Sequence, residues 1–355
     1  MPELPSGHSL PSLPDLVARL RATPSWQRKH DLGLLREAFG AGAGTPPRPP
    51  GATLLSFGEA SPVASLPLPD DIGDDAAAIA DGEGHLLIAA EVMWPPMVEA
   101  APELAGVNAV LANVNDIYAM GGRPVALLDT VLVPALADAA AILSGIAAGA
   151  SRYGIPVAGG HLTVGAPSTS LAAFIVGRAR RLLSGSAAVP GDDLLLLTTA
   201  IGRFRDPFPF WECSFDRSDA QLRADLDLLP QLAETGLCDA ARDVSMPGII
   251  GSALQFLEGS GTGAEIDLGA LPFPAAIRGK ELEWLGSFPS YAFLLSVAPA
   301  RTDEVIARAV ARDRVCARIG RVTADPQVVL RIGDERVLLW DLGTEPFAGL
   351  RRTGG

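Results

Sequence analysis

Asp74, Asp75, Glu91, Asp116 and Asp243 are the residues of this 355-residue chain whose types and spacing could do chemistry. Oxygen ligands of this kind suit Mg²⁺, which takes a few carboxylates and completes its shell with water and phosphate. Three of the five belong to a hairpin. Asp81-Gly82-Glu83-Gly84 is a turn signal between two apolar runs, Ala76 to Ala80 and Leu86 to Ala90, which predicts two antiparallel strands. Counted outward from Glu83, Asp75 and Glu91 lie eight residues away on either side. They are therefore predicted cross-strand neighbours, with Cβ atoms about 5 Å apart. Carboxylates that close repel each other unless a cation sits between them, and Asp74 adds to the repulsion.

The elements that position the others follow from periodicity. From Glu103 to Met120 the apolar residues Leu104, Val107, Val110, Leu111, Val114 and Ile117 recur at helical spacing. Asn113 and Asp116 share another face of that helix. Gly121-Gly122 caps its end and Pro124 prevents continuation. Asp116 thus stands in the last turn, where the helix dipole disfavours an anion. Further on, Ser245 is a predicted N-cap, with Pro247 in the first turn of a helix running to about Glu258. Asp243 then points at a helix N-terminus, a favourable place for a metal bound to phosphate. Taken singly, each carboxylate is also an ordinary decoration of a turn or cap. Taken together, the hairpin carboxylates and Asp116 suggest an oxygen-ligand site for Mg²⁺.

The runs Gly73-Asp74-Asp75-Ala76-Ala77, Asn115-Asp116-Ile117-Tyr118-Ala119-Met120-Gly121-Gly122-Arg123-Pro124 and Gly159-Gly160-His161 resemble, in order and spacing, the aminoimidazole ribonucleotide (AIR) synthase-like superfamily. Its members include selenophosphate synthetase, thiamine-monophosphate kinase and a hydrogenase-maturation dehydratase. The resemblance runs over roughly residues 56 to 345 and is closest to the AIR synthase-related branch without a settled activity. It implies that Asp74, Asp75, Glu91, Asp116 and Asp243 hold magnesium against the phosphates of ATP, with Asp116 and Asp243 also catalytic. Asn113, Gly159, Gly160 and His161 would contact nucleotide or substrate. Relatives usually carry Thr-Asp where this chain has Ala90-Glu91, and the longer Glu moves its carboxylate by about one bond. Lys29 and Lys280 are the only lysines, so an arginine such as Arg123 is the candidate cation for the γ-phosphate. With no Cys before Cys213 and a C-terminus of Thr353-Gly354-Gly355, neither the selenium chemistry nor the terminal-cysteine chemistry of those relatives is expected.

The rest of the chain reads as scaffold. Residues 1–55 form a helical extension and a Gly/Pro-rich linker. Residues 56–183 form an α/β (α+β) N-terminal domain carrying the ATP and magnesium site. Residues 184–350 form a second α/β domain of ferredoxin-like character. The resemblance implies a homodimer in which N-terminal sheets close a barrel. Strands are predicted at Val125 to Val133, Ile155 to Ala158 and Leu171 to Val176, with Gly159-Gly160 as a turn able to cradle an anion. Asp192 and Asp193 follow Pro190-Gly191 and read as structural turn carboxylates. Pro272 to Pro274, Trp284 and Phe288 read as core, with a pocket lining as the alternative. A net charge of -13 excludes a nucleic-acid partner and an anionic membrane surface. Three dispersed cysteines fit reduced thiols in the cytoplasm. Two functions stay open: an ATP- and Mg²⁺-dependent enzyme that phosphorylates or activates a small molecule with release of ADP, and a nucleotide-binding scaffold or sensor without turnover.

Overall fold

A computed structural model of the chain describes Leu4, residues 7–29 and residues 73–350. Asp71, Ile72 and the Gly/Pro-rich stretch lie outside the described residues. The chain is a mixed α/β protein of two domains. The first is built on a five-stranded sheet of β1 (Ala77–Asp81), β2 (Gly84–Val92), β3 (Arg123–Val133), β4 (Val157–Val164) and β5 (Ser170–Ala179), in the order β1-β2-β5-β3-β4. Helices Pro102–Ala119 and Leu136–Tyr153 cover one face. That burial alternates along the strands: Leu127, Val131, Ala173 and Ile175 face the helices and are fully buried. Ile88, Leu128 and Phe174 are exposed. The expected barrel is not closed within one chain; β1 and β4 are open edges.

The second domain is a seven-stranded sheet of β6 (Asp193–Thr198), β9 (Ala240–Asp243), β10 (Gly263–Asp267), β12 (Phe293–Val297), β13 (Val315–Thr323), β14 (Gln327–Ile332) and β15 (Glu335–Asp341). Its order is β15-β14-β10-β13-β6-β12-β9. A small sheet of β7 (Arg203–Phe204), β8 (Phe210–Glu212) and β11 (Phe288–Pro289) sits beside it. Strand β6 is buried along its whole length, so its Leu194 to Leu197 run reads as continuous apolar sequence. Asp192 and Asp193 are structural, accepting hydrogen bonds from Ser296 and Thr302 at 2.7 Å each. Among the described residues all three cysteines are free and buried, and no helix is long and apolar enough to cross a membrane.

Two predicted features shift. The hairpin turns on Gly82 and Glu83 as a two-residue loop, pairing Ala77 with Ile88 and Asp81 with Gly84. The register is therefore one residue from the prediction, and Asp75 lies just before β1 instead of opposite Glu91. Gly159-Gly160-His161 is not a turn but the middle of β4. The backbone there runs beside Asp129 of β3. A Cβ on Gly160 would lie 2.7 Å from Asp129 Oδ2, so close strand packing accounts for that glycine.

Candidate functional site

The loop before β1 holds the two domains together. At Gly73, φ is +104° and a Cβ would sit 2.2 Å from Leu350 Cδ2, so both backbone and space call for glycine. Asp74 then accepts hydrogen bonds from Gly185 N (2.9 Å) and Ser184 Oγ (2.7 Å) of the domain junction. Burial, helped by Asp75, raises its pKa to about 6. Its oxygens are engaged by protein donors, so Asp74 is a brace in this arrangement. Asp75 reaches across to the second domain. Its Oδ2 accepts from Asp243 N at 3.0 Å, and its Oδ1 lies 3.3 Å from Arg242 Nη2. Burial pushes Asp75 up to about 7, against the pull of Arg242.

Helix Pro102–Ala119 packs on β2 and β5 and also touches β9, which carries its last turn to the domain cleft. Asp116 is only 6% exposed, and its Oδ2 has no hydrogen-bond partner among the described residues. Its pKa is raised well above the ordinary carboxylate range, first by burial and then by Glu91, Asp243 and Asp75. Glu91, on β2, is likewise raised by burial. Asp243, at the end of β9, is raised to about 6 by burial, with Arg242 opposing. Asn113 is placed otherwise. Its Nδ2 donates to Ala109 O (2.8 Å) and Ala173 O (3.3 Å), bolting the helix to β5. Asn115, two residues on, lines the cleft.

The cleft is a cavity of about 400 Å³ whose wall includes Glu91, Asn115, Asp116 and Asp243. It also includes Ser25, Arg28 and Lys29 from the N-terminal segment. Trp26 puts them there. It is 2% exposed, donates from Nε1 to Pro247 O at 2.8 Å, and meets Phe347 edge-on at 5.3 Å. Burial and Arg242 lower the pKa of Lys29, while Glu91, Asp243 and Asp75 oppose that. Sequence reading missed Lys29, Arg242 and Asn115. The signal for Lys29 was faint: a lone lysine three residues beyond a tryptophan in a polar stretch. Arg123, the cation expected instead, is clamped by Asp227 (2.5 Å) and Glu234 (2.6 Å) and holds the domains together. Gly159, Gly160 and His161 lie on β4, which β3 and β5 separate from β2, and they do not line the cleft. The predicted Ser245 cap is displaced too. Its carbonyl accepts from Gly248 N in a turn, and the helix runs from Gly248 to Ser260. Phe288 lines the cavity, whereas Trp284 is buried against Phe273.

The chemistry of this donor set can be tested against Mg²⁺. Among the described residues no three acidic, His or Cys side chains converge closely enough to ligate one ion by themselves. Magnesium does not need them to, since it keeps several waters and binds through one or two carboxylates plus substrate phosphates. The hard oxygen donors, the cluster of like charges and the unpartnered Asp116 Oδ2 fit such an ion.

Comparison with known proteins agrees with the architecture. A protein of Synechocystis, "Uncharacterized protein sll0787", is 41% identical over 78% of this chain and 86% of its own length. The thiamine-monophosphate kinase of Pyrococcus horikoshii is 36% identical over 37% of this chain and 44% of its own. Among solved structures, T. maritima PurL complexed with ADP superposes with a TM-score of 0.64 at 19% identity. That match covers 77% of this chain and 46% of the PurL chain, so this protein spans less than half of the PurL length. Residues 73–179 match the AIR synthase related protein N-terminal domain and residues 190–333 the corresponding C-terminal domain; the chain belongs to the AIR synthase related family.

Proposed function

We propose that this protein binds ATP with Mg²⁺ in the cleft between its domains and transfers the γ-phosphoryl group to a small molecule, releasing ADP. The observation that carries this reading is the gathering of Glu91, Asp116 and Asp243, drawn from both domains, on the wall of one cleft, with Asp116 Oδ2 unsatisfied among the described residues and Asp75 buried behind Asp243. Protein interiors do not keep such groups together without a compensating charge. One or two of Glu91, Asp116 and Asp243 would hold the metal together with water and phosphate, and the metal when bound would neutralise charge on the phosphates. Arg242 holds Asp75 and the Gly73 carbonyl in place. Lys29 brings a cation to the same end of the cleft, and the Trp26 anchor fixes where it stands. The kinase and PurL relatives support nucleotide use. Lys29 also stands where the sequence pointed to an arginine such as Arg123 as the cation.

We further propose a homodimer. Ile88, Leu128 and Phe174 form an uncovered apolar face between two open sheet edges, and monomeric proteins blunt or cover such edges. Gly159 pairs with Leu128, so any nucleotide contact by Gly159, Gly160 or His161 requires that second copy. Calorimetry with ATP, with and without Mg²⁺, tests the site, and ADP release with candidate acceptors tests turnover. Metal-dependent binding is expected; equal binding without metal would remove the carboxylate reading.

A further inference from the structure

Beyond the carboxylates the cleft changes character. The rest of its wall includes Met93, Trp94, Met97, Leu111, Met246 and Phe288, drawn from the segment after β2, the central helix, the loop after β9 and β11. This is a concave, largely apolar site of a size that suits a small molecule. The side-chain amides on this wall are Asn108 and Asn115. Both are 3% exposed, and each leaves its Oδ1 without a hydrogen-bond partner among the described residues. Asn108 uses its Nδ2 on Met97 Sδ at 3.4 Å. Buried amide oxygens left unmatched favour a ligand that donates N–H or O–H. The cations of the wall, Arg28 and Lys29, both come from the N-terminal segment, and none comes from the elements that carry the apolar residues.

Resting on the phosphoryl-transfer reading above, we infer that this apolar end is the acceptor subsite. Its occupant is an uncharged aromatic small molecule bearing hydrogen-bond donors, not a phosphate-bearing sugar. Its place supports that assignment. The same cavity is lined by Glu91, Asp116 and Asp243, so a compact molecule seated on Trp94 and Phe288 has its reacting atom beside the carboxylates. An adenine seated there would be held away from its own γ-phosphate by a ribose and two further phosphates. Trp94 and the methionines provide a face and a polarizable, adaptable wall for an aromatic body. In the transfer, an acceptor oxygen or nitrogen forms a bond to the γ-phosphorus as the bond to the β,γ-bridging oxygen breaks. The acceptor's proton passes to a cleft carboxylate or water, and ADP leaves.

The test uses the full-length protein and benzamide as the probe, an uncharged aromatic ring with N–H donors, observed by saturation-transfer NMR. Ribose 5-phosphate is the competitor, and Mg²⁺-ATP affinity is measured in parallel by calorimetry. Benzamide is expected to bind at millimolar affinity, on the order of what so few atoms supply, and ribose 5-phosphate is expected not to displace it. Ala112→Trp and Met246→Trp, which fill the cavity from two different elements, should each weaken benzamide by at least about tenfold while Mg²⁺-ATP affinity moves by less than about threefold. Having two variants keeps the test valid if one fails to fold. No benzamide binding, displacement by ribose 5-phosphate, or a matching loss of Mg²⁺-ATP affinity in the filled variants would each overturn the assignment, the last by making this the adenine pocket. If benzamide binds as described but wild type binds no Mg²⁺-ATP, the phosphoryl-transfer reading fails and the aromatic site stands without it.

Discussion

Asp116→Asn should move stability and binding in opposite directions, and that opposition separates a ligand from a structural residue. The carboxylate is 6% exposed, with Oδ2 unpartnered and Glu91, Asp243 and Asp75 as charged neighbours. Only Arg242 offsets them among the named influences. In metal-free protein at pH 8 the unfolded chain carries this aspartate ionised, and folding must either bury that charge beside its like or take up a proton. Asparagine has nearly the same shape and removes the conflict. A gain of about 1–2 kcal/mol is expected, the usual size for relieving a local conflict at a functional site. For a chain of this size that is a rise in melting temperature of roughly 1–3 °C. With Mg²⁺ and ATP present the sign reverses, because a ligand is lost and affinity should fall by about 10- to 100-fold. Thermal melts without metal and calorimetry with Mg²⁺-ATP read the two effects on the same preparation. An Asp116→Asn protein that melts lower without metal and binds Mg²⁺-ATP within about twofold of wild type would refute the reasoning.

Other perturbations test the supports of the site. Glu258, 1% exposed, accepts backbone N–H groups from Phe347, Ala348, Gly349 and Leu350 at 2.8–3.3 Å. Glu258→Ala should cost about 3–5 kcal/mol in urea unfolding, the scale of stranding buried partners of a charge, and a loss under about 1 kcal/mol would mean the segment is held otherwise. Trp26→Ala removes a buried ring and its bond to Pro247; a cost of about 3–5 kcal/mol, faster proteolysis near residue 29 and weaker Mg²⁺-ATP binding should appear together. Phe174→Asp places a charge on the uncovered face and should give a monomer by light scattering with an unchanged circular dichroism spectrum; a wild type that is already monomeric at micromolar concentration sinks the dimer. The pH response of metal-free protein follows from Asp75 at about 7 and Asp74 and Asp243 at about 6. Raised carboxylates favour folding below the unfolded value near 4 and lose that contribution as pH rises through 6 to 7. The metal-free melting temperature should therefore fall from pH 5 to 7.5 and Mg²⁺ should restore it most at the upper end, whereas a metal-free rise over that interval would contradict the buried cluster.

What the sequence showed well was local. Periodicity and the Gly121-Gly122 stop located the central helix to within a residue, although it is buried on every side from Asn113 to Ala119. Asp116 stood out because it broke the dipole rule at that helix end. The errors came where one residue of offset matters. Placing the turn centre on Glu83 instead of between Gly82 and Glu83 put Asp75 opposite Glu91, and in a period-two element a single slip changes the face. Asn113 and Asn115 are indistinguishable by composition, yet one bonds to Ala109 and Ala173 and the other lines the cleft. Gly159-Gly160 read as a turn because glycine pairs usually are one. The reason for Gly160 lies on a neighbouring strand, at Asp129.

Lys29 was hidden for a different reason, and it changes how the N-terminal segment should be understood. Nothing in the periodicity of residues 13–29 ties them to the carboxylates; the tie runs through Trp26, whose partners Pro247 and Phe347 lie over two hundred residues away. Such an anchor is set by tertiary packing, which propensity and pattern do not carry. Its consequence is electrostatic. Asp74, Asp75, Glu91, Asp116 and Asp243 face Arg242 and Lys29, so the carboxylates still outnumber these two cations, the imbalance that the proposed Mg²⁺ would offset. A segment that read as an appendage is therefore one wall of the cleft. Removing residues 1–29 should leave the two domains folded around their own sheets but strip the cleft of Arg28 and Lys29, the cations that line its wall among the described residues, and calorimetry should then read weaker Mg²⁺-ATP binding.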